Sequence, residues 1–141
     1  PAVMDGFLRK LSSDAWNRKS APSEWTLTEL VCHLRDTERE IHHMQLNLFN
    51  GKDEPFIPRP DTGVWANQRD YLKEDGLAAL QEFKVARLAT LEILKTMPEA
   101  DWERKARHAI FGPTNFREIA GFMADHDRMH IQQVWSLLKK L

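Results

Sequence analysis

Cysteine is nearly absent: Cys32 is the single thiol in 141 residues. No intrachain disulfide can form, so a reducing, cytoplasmic setting is expected. Neither sign of charge dominates. Twenty Lys and Arg stand against 21 Asp and Glu, a formal charge of −1, which leaves no electrostatic case for nucleic acid or an anionic membrane as partner. No apolar run approaches the roughly 20 residues of a membrane span. The opening PAVMDGFLRKL lacks the apolar centre of a signal peptide. Runs of β-branched residues are few, and apolar residues recur mostly at spacings of 3 and 4 rather than 2. These absences point to a soluble, all-α single domain over residues 1–141, long enough to bury a core.

Four main helices account for the pattern. The first is expected from about Met4 to Arg18, with Phe7, Leu8, Leu11 and Ala15 on one side and SAPSEW ending it. The second starts at TLTE, where Thr26 followed by Glu29 is a capping-box pattern, and runs to about Asn50, with Gly51 as its stop. KDEPFIPRPD is too rich in proline to be helical and reads as a semi-rigid connection over one end of the domain. A third helical region opens near Asp61 or Thr62 and breaks at Gly76. There Asp75 is placed to cap a longer segment, which ends near Met97 before Pro98. EADWERKARHAIFGPT, residues 99–114, is a connector with room for a loose hairpin. The last helix begins at Thr114 or Asn115, where Asn115 and Glu118 repeat the capping pattern, and runs nearly to Leu141. Mostly short links between such helices predict an antiparallel, up-down four-helix bundle.

Histidine is where the pattern carries chemistry. In ADHDRMHIQQVW, His126 and His130 are spaced i, i+4 and leave one side of the helix a turn apart. At about 100° per residue they share a stripe with Ile119, Phe122, Gln133 and Leu137, so they point toward the core. On the second helix, His33 shares a stripe with Leu30, Thr37, Ile41, Met44 and Leu48. Packed helix axes lie about 8–10 Å apart, a gap that imidazoles from both sides close onto one ion. Three buried histidines leave several ring nitrogens needing partners, and one divalent metal satisfies them together. The alternative is a set of core histidines bonded to carbonyls or carboxylates. Three protein ligands with open positions describe a catalytic kind of site, since structural zinc sites usually have four.

The remaining candidates divide. His42 lies opposite His33 at this pitch, so it and its neighbour His43 are expected in solvent. His108 either lines a pocket mouth or caps a turn. Cys32 is expected to be a packing residue. Arg87 is centred on the apolar stripe of Leu80, Phe83, Leu91 and Leu94, and a buried guanidinium needs a carboxylate, Glu40 or Glu38. Either that pair is structural, or Arg87 or Glu40 faces the metal cavity. Glu40, Arg87 and Gln133 are therefore the candidate catalytic residues, with Gln133, Thr37 and Glu40 placed to support the metal or meet substrate. Ile131 and Trp135 lie on the back of the final helix, where Ala120, Ala124 and Leu138 extend a second apolar strip. A second strip suggests a homodimer, unless the first helix or PFIPRP covers it.

EWTLTELVCHL, with Trp25, Thr26 and His33, and HDRMHIQQV, with His126, Asp127, His130 and Gln133, resemble the DinB/YfiT-like superfamily of proposed metalloenzymes. RHAIFGPTNFREIAGF resembles that family's approach to its last helix, and the likeness extends over nearly the whole chain from about Leu8. The resemblance implies an up-down four-helix bundle, a three-histidine site for one nickel or zinc ion, and frequent homodimers. It implies a small-molecule substrate and leaves the reaction open among metal-dependent hydrolysis and transfer or isomerisation with low-molecular-weight thiols such as bacillithiol and mycothiol. With the resemblance added to the three-histidine pattern, two functions are expected: a metalloenzyme of hydrolase or thiol-transferase type, or a non-catalytic metal- or ligand-binding bundle with an accessory role in stress. A P-loop or dinucleotide fingerprint is absent from the sequence.

Overall fold

Local capping starts the long helices where the sequence places them. The structure, a computed structural model, describes residues 2–50 and 53–141; the expected stop at Gly51 lies outside them. Helix α3 (Leu27–Asp36) opens with a complete capping box, in which the Thr26 hydroxyl accepts from the Glu29 N–H and the Glu29 carboxylate accepts from the Thr26 N–H. Helix α6 (Gly76–Thr96) is capped by Asp75, which accepts from the N–H groups of Leu77 and Ala78, and it ends at Met97 before Pro98. Helix α7 (Phe116–Leu138) carries the second capping box, Asn115 with Glu118.

The first helix is broken where a continuous one was expected. It forms α1 (Ala2–Leu8) and α2 (Ser13–Trp16), and the extended Ser12 between them redirects the chain so that Leu8 and Trp16 both reach the core. The second helix changes pitch: α3 passes into a π-helical turn (Thr37–His42) and then α4 (His43–Leu48). The third region is a short α5 (Trp65–Gln68) and a 3-10 turn (Tyr71–Lys73) ahead of α6. At Gly76 the helix passes so close to α2 that an added Cβ would meet Trp16 at 2.4 Å, so only glycine fits.

A small sheet completes the bundle. Strands β2 (Lys105–His108) and β3 (Gly112–Asn115) form an antiparallel hairpin, as the connector allowed, and Gly112 takes a φ of 73° at its turn. Strand β1 (Phe56–Ile57), from the proline-rich connection, adds in parallel to β2 with Phe56 opposite Arg107. Sequence periodicity did not show this pairing.

The four-helix bundle is present, but its chain direction departs from up-down alternation at one step. Thr28 lies beside Gly76, Arg39 binds Glu82, and Glu38 binds Arg87 and Thr90, so α3 and its continuation run in the same direction as α6. The cause is the long stretch between Phe49 and Tyr71, which returns the chain from one end of the molecule to the other. Helix α7 runs opposite to both, with Lys140 at Glu24 and Phe116 at Phe49.

Two hydrophobic clusters fill the ends. One joins Leu8, Leu27, Leu30, Leu34, Leu80, Phe83, Val134 and Leu137; the other joins Leu46, Phe49, Ile57, Phe116, Ile119 and Met123. Between them, at mid-height on α3, α6 and α7, lies a band of buried polar side chains. The apolar strip on the back of α7 is partly covered from within: Ile131 and Leu138 pack on the first cluster, and Phe7 of α1 lies on Trp135 with ring centroids 5.2 Å apart. No helix among the described residues is long and apolar enough to cross a membrane.

Candidate metal centre

His33, His126 and His130 converge in the polar band, with one ring nitrogen of each within 4.8 Å of the others. His126 Nε2 lies 3.4 Å from His33 Nε2 and 3.1 Å from His130 Nε2. Metal–imidazole bonds of about 2.0–2.1 Å put two tetrahedral ligand atoms about 3.4 Å apart, so the separations are those of ligands around one ion. The donor set fits a divalent metal.

The environment prepares the rings. His33 and His130 are each 3 % exposed. Burial, then the neighbouring histidines, press the pKa of His33 down to about 3 and that of His130 to about 4, so both rings are neutral at pH 7, as ligands must be. The His130 Nδ1–H donates to the Gln133 side-chain oxygen at 2.6 Å, which leaves the Nε2 lone pair facing the centre. Trp25 walls the site, 4.8 Å from the His33 ring and stacked at 6.3 Å on His130. A cavity of about 530 Å³ opens from the histidines along α7 to Gln133, Ser136 and Lys140, with the loop 59–63 as its opposite wall. The prolines of that connection make the wall stiff.

These shifts set an acid response. An unfolded histidine takes up a proton below its ordinary 6.5. The folded rings refuse one until about pH 4 and pH 3. Stability of the metal-free protein is therefore expected to fall as pH drops from about 6.5 toward 4, by about 1 kcal/mol per pH unit for each histidine. Glu38 extends the loss. Burial alone would raise its carboxyl, but the hydrogen bond from His42 and the charge of Arg87 hold it at about 2. Its contribution is present above its ordinary 4.5 and disappears between there and about 2. Urea unfolding of the metal-free protein at pH 7.5, 6 and 5 checks this, and an unchanged midpoint across that range would refute it.

Other sequence candidates fall outside the cavity. Arg87 is buried as expected and pairs with Glu38, Nη2 to Oε2 at 2.5 Å, and also with Asp127 through both oxygens. Glu40 does not join it: the π-helical turn rotates less per residue than an α-turn, which carries Glu40 outward to Arg69 at 2.5 Å. The same change of pitch corrects the expectation for His42, which is buried, with Nδ1 donating to Glu38 at 2.7 Å and its ring 5.5 Å from that of His126. His43 is half-buried and donates to the Ala86 carbonyl at 3.2 Å. His108 caps the hairpin turn, accepting from the N–H groups of Ile110 and Phe111. Cys32 is fully buried, and burial lifts its thiol to about 12. Thr37 lies beside the centre, Oγ1 3.5 Å from His33 Nε2.

Comparison with known proteins agrees with this architecture. The family model of the DinB superfamily matches residues 1–134. YuaE of Bacillus subtilis is 21% identical over 145 residues, spanning 95% of this chain and 90% of that protein. A "Putative metal-dependent hydrolase" of Oceanobacillus iheyensis is 24% identical over 141 residues, spanning 99% of this chain and 80% of its own length. The solved structure of YfiT from Bacillus subtilis, described as a probable metal-dependent hydrolase with an unusual four-helix bundle topology, superimposes with a TM-score of 0.86 at 18% identity, covering 99% of this chain and 80% of that one.

Proposed function

The chain belongs to the DinB superfamily, and from that premise we propose that it is a metal-dependent hydrolase of a small molecule, with one divalent ion, nickel or zinc, held by His33, His126 and His130. The observation that carries this reading is the convergence of the three Nε2 atoms at the floor of an open cavity. When bound, a divalent ion supplies a nucleophile at neutral pH and a Lewis acid for a carbonyl. The chain does the rest. Gln133 keeps the proton of His130 on Nδ1, and Trp25 shields the rings on one side. The relative from Oceanobacillus iheyensis and YfiT carry the same description.

A second reading is transfer of a low-molecular-weight thiol. Two carboxylates line the cavity, and neither is placed as a base: Glu24 is tied to Lys140 at 2.6 Å, and Asp61 accepts from the Gly63 N–H at 3.0 Å. A thiol, with a pKa near 8.5, needs less help than water to lose its proton. Protein loaded with zinc or nickel is assayed with p-nitrophenyl acetate, and separately with monobromobimane and cysteine. One reaction is expected to stop on chelation and return with metal. If the protein binds metal and accelerates neither, the non-catalytic binding role replaces both. A homodimer is a further part of the proposal, supported by the adjoining, exposed Val3, Phe7 and Trp135; a monomer mass in light scattering at micromolar concentration overturns it.

A further inference from the structure

Among the described residues three buried side-chain nitrogens have no hydrogen-bond partner: His33 Nδ1, His126 Nδ1 and Arg87 Nε. Two of them border one network. With His126 Nε2 turned to the other histidines, Nδ1 is the nitrogen that carries the proton in the ligating tautomer. A buried N–H without an acceptor costs about 1–3 kcal/mol, so the position calls for one. Asp127 Oδ1 lies 3.9 Å from it, just beyond reach. Asp127 does not swing freely. Arg87 binds both its oxygens, and Glu38, itself held by His42 and Thr90, grips Arg87 from the other side. Every member of that chain except Asp127 is under a tenth exposed, and the π-helical turn is what brings Glu38 and His42 inward.

Resting on the metal site proposed above, we propose that Asp127 is the acceptor that orients His126 and that Arg87 is a positioning residue acting through it. Helix α6 then contributes no ligand and still sets the aim of one. The three ligands are held differently: His130 by Gln133, His126 by Asp127 through Arg87, and His33 by packing against Trp25. Closing the 3.9 Å gap by about 1 Å makes the bond, a smaller change than any rotamer switch.

The test uses Asp127→Asn, which keeps the shape and removes the charge, and Arg87→Lys, which keeps the charge and removes the two-pronged grip. Zinc affinity is measured by competition with a chromophoric chelator. Losses on the order of 10- to 100-fold are expected for Asp127→Asn, and a smaller loss for Arg87→Lys. In the cobalt-loaded protein, the exchangeable N–H resonance of His126 is expected to move in both variants while that of His130 stays. The metal-free protein gives an independent reading: nitrogen NMR should find His126 as the Nδ1–H tautomer in the wild type and a mixture in Asp127→Asn. Unchanged affinity with an unmoved His126 signal, whatever happens to thermal stability, overturns the proposal. Failure of the wild type to bind zinc or cobalt overturns the metal site instead, and the tautomer measurement still decides the role of Asp127.

Discussion

Replacing His130 with alanine is expected to abolish stoichiometric binding of a divalent ion. His130 supplies one of three converging Nε2 atoms, 3.1 Å from that of His126, and without it two imidazoles on different helices are left to share the ion. Losing a residue that merely hydrogen-bonds a ligand costs 10- to 100-fold in affinity, so losing the ligand itself should cost more than about 100-fold. The fold should survive, because the buried imidazole it removes makes its one near hydrogen bond outside the cluster to an exposed residue, Gln133. The effect is also visible without counting ions. A ligand at 100 times its Kd stabilises the folded state by about 2.7 kcal/mol, so zinc should raise the melting temperature of the wild type and leave His130→Ala unmoved. A variant that still holds one ion per chain places the site elsewhere.

Arg87→Met should destabilise the protein by about 3–5 kcal/mol, the range for removing one partner of a buried ion pair. Arg87 is 7 % exposed and Glu38 is not exposed at all. Without the guanidinium the Glu38 carboxylate keeps only His42 and Thr90, and Asp127 loses the partner of both its oxygens. The methionine fills much of the same volume, so the loss reports the stranded charges rather than a cavity. Glu40→Gln is the contrast. Its pair with Arg69 is half exposed, and such pairs are worth about 0–1 kcal/mol. Urea unfolding at pH 7.5 should show the large shift for Arg87→Met and almost none for Glu40→Gln; equal effects would mean that burial does not set the strength of these pairs.

Local interactions make much of this protein legible in its sequence. The capping boxes at Thr26 and Asn115 and the cap at Asp75 act within four residues, and all three helices start where those residues stand. The i, i+4 spacing of His126 and His130 and the inward stripe of His33 likewise follow from helical geometry over a few turns. Arg87 is legible as a buried charge because its stripe is apolar, although periodicity leaves its partner open between Glu38 and Glu40.

What the chain by itself determined, then, was where the three capped helices start, the helical bundle and the inward aim of His33, His126 and His130, because each depends on contacts between residues close in sequence. The tertiary structure alone decided the π-helical turn at Thr37–His42, and with it the burial of His42, the choice of Glu38 over Glu40 and the network behind His126. It also decided the pairing of β1 with β2, the parallel run of α3 and α6, and the convergence of the Nε2 atoms to 3.1 and 3.4 Å. The reason is physical. A π-turn is rare and has no periodic signature of its own, and this one is accompanied by the contacts Glu38 and His42 make across the bundle, while a pairing between residues some fifty positions apart leaves no periodic trace in either segment.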